Sequence, residues 1–206
     1  RLDPATERVS AVEVEIADER PAPGARAVGD QFVNVDAGAA GQAAIEAHGD
    51  VFTLAVASGA AQNRSATPNA AERFPALAPD GRTLAYFSDA DGEYQLVLRD
   101  LASNQARTLT RFTEGLRFKP QWSPDSRQIV FIDWRGDLHL VDAASGARRV
   151  VMRTLQIRTM EPFDDLAAFR VGWSPDSRWV AFASALANRN HALFVVDTRA
   201  AAATPP

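Results

Sequence analysis

Apolar residues along this chain come in short runs, separated by Gly, Asn, Asp and Ser. The runs are QAAIEA (42–47), DVFTLAV (50–56), AQNRS (61–65), TLAYFSD (83–89), YQLVLRDL (94–101), ARTLT (106–110), QIVFID (128–133), DLHLVDA (137–143), ARRVVM (147–152), WVAFASA (179–185) and HALFVVDT (191–198). Partial two-residue alternation and turn residues between the runs predict β-strands. IVFI and LFVV are continuously apolar, which predicts middle strands buried on both faces. No window predicts a long amphipathic helix. The Ala-rich stretch 37–47 has helical propensity, but three glycines fall between 38 and 49 and its place in the repeat predicts a strand.

The runs recur behind a turn motif. WSPDSR stands at 122–127 and at 173–178, and LAPDGR at 77–82. Asp80, Asp125 and Asp176 fall in register, 45 and 51 residues apart. A decayed copy at 36–49 puts Ala39 at the aspartate position. A period of roughly 40–50 residues with four strands per period is that of a β-propeller blade. The fold class is therefore all-β, a propeller segment of about three full and two partial four-stranded antiparallel blades. Residues 1–30 are expected to hold an outer strand of a preceding blade (6–16) and a Pro/Gly-rich loop (19–30). Blades are expected at 31–70, with the degenerate turn, and at 71–115 and 116–169. A partial blade is expected at 170–206. Open sheet edges are avoided in nature, so the chain reads as a segment of a longer protein. The alternative is that strand 6–16 completes the last blade and closes a small four-bladed ring.

The hexapeptide has a structural reading at every position. Proline presets φ for position i+1 of a type I turn, aspartate tolerates the next position and can accept backbone N–H bonds, and Gly or Ser releases the chain. Tryptophan can fill the wedge between blades. A functional reading would make Asp125 and Asp176 ligands or catalytic carboxylates, but such chemistry needs convergent groups. Aspartates repeated once per blade point to separate positions around a ring. DADGE (89–93) resembles a piece of a calcium loop but lacks the spacing, and reads as a hairpin turn. His48, His139 and His191 are far apart, with no ligand spacing that would favour zinc. VASGA and AASGA lack the frame of a nucleophile elbow and read as turns. Glu161, Asp164 and Asp165 lie in the longest connection, 153–169. They could face a cationic partner, although a solvated loop pinned by Phe163 and Phe169 explains them as well. No residue is assigned as catalytic, cofactor-binding or metal-ligating, and no cofactor is expected.

A net charge of −4 without long runs argues against a nucleic-acid or anionic-membrane surface, which needs a basic patch. The absence of cysteine excludes disulfide and thiolate chemistry. No apolar run approaches the roughly 18 residues of a membrane span.

Between the turns, the stretch HGDVFTLAV…NRS…ERFPALAPDGRTLAYFSDADGEYQLVLRD (from 48), then KPQWSPDSRQIVFIDWRGDLHLVD and FRVGWSPDSRWVAFASALANRNHALFVVDT, resembles the propeller part of the tricorn protease family. The Asn-Arg at an outer strand, ERFPA before the turn and SDADGEY after it carry the likeness, over roughly 45–198. The resemblance implies a part of a large serine peptidase whose propellers gate or channel oligopeptides. Its catalytic serine and histidine lie outside this part, so none is carried over. It implies as partners oligopeptide substrates, the other domains of the parent peptidase, and a homo-oligomer formed through the parent. It favours the cytoplasm. AGAAG (37–41) departs from the family's turn. The competing expectation is a stand-alone or periplasmic Tol-type propeller that binds other proteins, although YQLVLRD and DLHLVDA fit its third strand poorly. A propeller cap of a prolyl-oligopeptidase-like hydrolase is a third.

Overall fold

The structure, a computed structural model, describes residues 2–3, 8–9, 32–38, 41–153, 171–185 and 191–200. Strands β1 (Leu2–Asp3) and β2 (Arg8–Val9) form a small antiparallel pair. Three four-stranded sheets follow. The first holds β3 (Phe32–Ala37), β4 (Gln42–Ala47), β5 (Asp50–Ala55) and β6 (Ala60–Asn63). The second holds β7 (Glu72–Leu77), β8 (Thr83–Ser88), β9 (Gln95–Asp100) and β10 (Ala106–Thr108). The third holds β11 (Arg117–Trp122), β12 (Gln128–Asp133), β13 (Asp137–Asp142) and β14 (Arg148–Arg153). A fourth sheet contains β15 (Val171–Trp173), β16 (Trp179–Ala185) and β17 (His191–Asp197). In each sheet the strands pair antiparallel in chain order, as propeller blades do. The Ala-rich segment is strand, as its repeat position requires.

The blades stack face to face, and each interface has its own apolar cluster. Leu84, Tyr86 and Val97 pack with Ala44 and Val51 of the first blade. The intervening Ala85, Phe87, Leu96 and Leu98 point the other way and pack with Ile129, Phe131 and Trp122 of the third. Val130, Leu138 and Leu140 then meet Val180, Phe182 and Val196 of the fourth. This is why IVFI has no polar alternation: Ile129, Val130, Phe131 and Ile132 are all buried, Ile129 and Phe131 in the interface with the second blade and Val130 in that with the fourth. Phe87 and Phe131 meet edge-on at 5.2 Å across the second interface. Fully burying one such side chain contributes about 2–3 kcal/mol. The outward faces of the end blades are apolar too, with Val33 and Val35 exposed on the first, and Leu193 and Val195 on the fourth.

The first strand of each of the first three blades carries a β-bulge, seen as a register shift at Val33/Val35, Arg73/Ala76 and Phe118/Gln121. Asn34, Phe74 and Lys119 take positive φ there, and Pro75 and Pro120 follow the last two. Bulges bend a strand and re-aim its side chains.

One alignment from the sequence is corrected. The Pro-Asp turns close with Ala78 N–H to Thr83 O, Ser123 N–H to Gln128 O and Ser174 N–H to Trp179 O, each at 2.8 Å. In the first blade the equivalent bond runs from Gly38 N–H to Gln42 O, so that turn is one residue shorter. Ala39 itself lies outside the described residues. So do most of the expected strand 6–16, the loop 19–30, and Glu161, Phe163, Asp164, Asp165 and Phe169.

Candidate functional site

The repeated turn is built as its chemistry dictates. Ser123 O accepts from Ser126 N–H at 2.9 Å, with Pro124 and Asp125 between them. Ser126 and Ser177 stand at φ 60° and 58°, where LAPDGR has Gly81 at 70°. Each aspartate carboxylate receives the arginine amide two residues on: Arg82 to Asp80 at 2.9 Å, Arg127 to Asp125 at 3.1 Å, Arg178 to Asp176 at 3.2 Å. Burial pushes the Asp125 carboxyl up. The bonds from Ser123 and Arg127, with the Arg127 charge, outweigh that and hold it low. The Ser174 hydroxyl and the Arg178 amide hold Asp176 low. These carboxylates are consumed locally and do not converge.

The remaining candidates are also engaged in the fold. DADGE is the β8–β9 turn, closed by Gly92 N–H to Asp89 O at 2.8 Å, and Asp89 also accepts from Ala71 N–H at 2.6 Å. VASGA and AASGA are turns, with Gly59 N–H bonded to Ala55 O and Gly146 N–H to Asp142 O. His48 occupies the β4–β5 turn at φ 54°, and His191 begins β17. His139 is buried on β13. Its Nε2 bonds Asp133 at 3.0 Å, and its Nδ1 meets Arg148 at 2.9 Å. Arginine can only donate, so Nδ1 accepts and Nε2–H donates. With both nitrogens occupied, His139 has no free nitrogen for general-base work. Among the described residues no group of His, Asp and Glu is placed to hold a metal.

What the topology does bring together is a cleft of about 560 Å³ where the first strands of the four blades converge. Asp36, Ala37 and Gly38 line it from the first blade, and Ala76, Leu77 and Pro79 from the second. Pro120, Gln121 and Trp122 line it from the third, and Trp173 from the fourth. Its volume is in the range of sites that hold a small ligand or a few residues of chain. Gly38 permits the close approach of the first two blades, since a Cβ there would stand 2.6 Å from Leu77 Cδ1.

Asp36 is the one charged residue among the described residues of this lining. Its Oδ2 accepts from Leu77 N–H at 2.7 Å, and burial pushes its carboxyl up despite the backbone bonds that lower it. Trp122 Nε1 donates to Ala76 O at 3.0 Å. Trp173 takes the same place one blade on, yet its buried Nε1 has no partner among the described residues. Sequence reasoning gave Asp36 no weight. The decayed-turn alignment set it against Leu77, Trp122 and Trp173. With the first turn one residue shorter, it stands opposite Ala76, Gln121 and Gly172, where a carboxylate is conspicuous.

These sheets, stacked with their first strands around a common cleft, define the chain as a β-propeller segment. No family model matches it. It is 39% identical over 69 residues to "Uncharacterized peptidase YuxL" of Bacillus subtilis (strain 168), covering 33% of this chain and 10% of that protein. It is 28% identical over 113 residues to "Protein TolB homolog" of Chlorobium chlorochromatii (strain CaD3), covering 54% of this chain and 23% of that protein. The chain thus spans only a minor part of these relatives. Among solved structures, tricorn protease superposes with a TM-score of 0.67 at 17% identity, over 96% of this chain and 19% of that one. TolB from Acinetobacter baumannii superposes with a TM-score of 0.63 at 15% identity, over 84% and 42%. These likenesses agree on the propeller fold.

Proposed function

We propose that this chain is a non-catalytic propeller segment of a tricorn-like serine peptidase. It gates oligopeptides on their way to a catalytic domain outside the chain. The observation that carries this reading is the cleft between the first strands. Each of these strands is paired on one side only, so its other edge can offer backbone hydrogen bonds to an extended chain. On β7 that edge is already capped, by Glu46 on Phe74 N–H at 3.0 Å and by Asp36 on Leu77 N–H. On β11 the position of Asp36 is taken by Ala76, which has no carboxylate for Trp122 N–H. The cleft therefore combines apolar walls with backbone groups available to a peptide. The short identity to a peptidase and the near-complete superposition on tricorn protease support the peptidase setting.

A second reading is favoured by a specific observation: sequence matches to TolB proteins cover up to 54% of the chain. In that reading the same cleft docks a segment of a partner protein, and the periplasm replaces the cytoplasm as its place of work. Reading the parent gene separates the two. A serine peptidase domain on the same polypeptide supports the first. A leader sequence with no peptidase domain contradicts it and supports the second.

A further inference from the structure

We propose that the cleft recognises a primary ammonium group, presented by the amino terminus or a lysine of an extended peptide, through Asp36. The inference rests on the reading of the cleft as a peptide site and names what that site selects.

Three features of the lining point to this chemistry. The first is charge. Among the described residues of the lining Asp36 stands alone with alanine, glycine, leucine, proline, glutamine and tryptophan, and none of these neutralises it. Low-dielectric walls focus the field of such a group into the space they enclose. The second is acceptor capacity. A carboxylate has about four lone-pair sites, and the Leu77 amide takes one of them. The bond to Leu77 also fixes the carboxylate in place, so a ligand meets an acceptor that is already oriented. The third is the pair of indoles, Trp122 and Trp173, that line the same cleft. Tryptophan faces favour a neighbouring cation.

Other anchors fit less well. An anion would meet the Asp36 charge with no cation among the described residues of the lining to offset it. A metal ion would need further carboxylate or imidazole ligands, and none of the described residues supplies such a group. A neutral, blocked peptide could use the walls and backbone edges but would desolvate the Asp36 charge without supplying a counter-charge, which is costly.

Calorimetric titration of the full chain with short Ala/Pro peptides tests this directly. One peptide has a free amino terminus, one is N-acetylated, and one is N-acetylated with an internal lysine. Acetylation is expected to weaken binding about tenfold, the scale of one hydrogen bond to a charged group. Either the free terminus or the lysine peptide should restore the loss, and the one that does identifies the source of the ammonium. Asp36→Asn keeps an acceptor for Leu77 N–H and should bind all three peptides alike, at the acetylated level. Equal binding of all three peptides by the wild-type chain would overturn the ammonium site while leaving the peptide cleft standing. A preference that survives Asp36→Asn would do the same. If none of the three binds, the peptide reading falls and the ammonium site with it. The wild-type comparison needs no variant, so a misfolded Asp36→Asn chain would not shield the proposal.

Discussion

The backbone amide of Asp125 donates to the hydroxyl of Ser177, 3.1 Å away in the next blade. One blade earlier, Asp80 N–H donates to Ser126 Oγ at 3.0 Å. The serine of WSPDSR is thus the acceptor that ties each turn to its predecessor. LAPDGR has glycine at that place, and the shortened first turn has no Pro-Asp amide to offer it. Ser126 meets this role at positive φ, where a Cβ is unfavourable. Ser126→Ala should lose the bond and retain the strain, costing about 1 kcal/mol. Ser126→Gly loses the bond but relieves the backbone, so its cost should be less than half as large. Urea unfolding of the two variants measures the difference, and an Ala variant as stable as the Gly variant would remove the hydroxyl from the account.

A second tie runs along the outer strands. Arg64 donates to Leu101 O at 3.2 Å and to Thr53 Oγ1 at 2.7 Å. Arg107 donates to Ala143 O and Ala144 O, and Arg149 to Ala200 O at 2.9 Å. In each case an arginine in the outer strand, or directly after it as Arg64 is, reaches the turn after the third strand of the next blade. In the second and third blades that turn is shaped by an aspartate that accepts from the serine three residues on, Asp100 from Ser103 and Asp142 from Ser145. Arg107→Ala should cost about 1 kcal/mol, and Arg149→Ala, at a more exposed bond, about half that. Denaturant midpoints should fall in that order.

The blade repeat was legible because a buried middle strand and a tight turn both leave local marks: IVFI, LFVV and three Pro-Asp turns. The ties between blades were not. Arg64, Arg107 and Arg149 sit in segments with no common motif, and each reaches a partner at least 36 residues away. The cleft was hidden for a related reason. Its lining is assembled from four blades, and the one-residue difference in the first turn displaced Asp36 from its true counterparts. The inner-strand bulges are equally silent, since only Phe74-Pro75 and Lys119-Pro120 share even a proline.

Glu72 is fully buried at the first blade interface, and its Oε2 has no hydrogen-bond partner among the described residues. Burial raises its carboxyl, and nearby Asp50 adds to that, against the bonds from Ser65, Ser88 and Thr67. A folded value above the unfolded one means that the native state binds the extra proton. Stability is therefore highest at acid pH and falls as pH rises from the ordinary carboxylate range through the raised value. Glu72→Gln should remove this loss. Its melting temperature should exceed that of wild type at pH 8 and approach it near pH 4. The reverse ordering in thermal melts would show the ionised carboxylate to be stabilising.

Asp133 should behave in the opposite way. Burial pushes its carboxyl up, but His139 and the amides of Asp137 and Arg135 together hold it low. Its contribution is present above the ordinary carboxylate range and is lost as pH falls through the depressed value. Asp133→Asn leaves His139 Nε2–H with a weaker acceptor, at a cost of about 1–3 kcal/mol at neutral pH. The cost should shrink towards pH 2 in parallel urea titrations.

The central claim is that the inner-strand cleft holds an extended peptide and leaves it intact. Photocrosslinking with a short peptide carrying benzoylphenylalanine, followed by mass spectrometry of both adduct and free peptide, tests it most directly. The account predicts adducts on Leu77, Pro79, Pro120 or Gln121, and an uncleaved peptide. Adducts confined to the exposed faces at Val35, Leu193 or Val195, or a peptide hydrolysed by the purified chain, would contradict it.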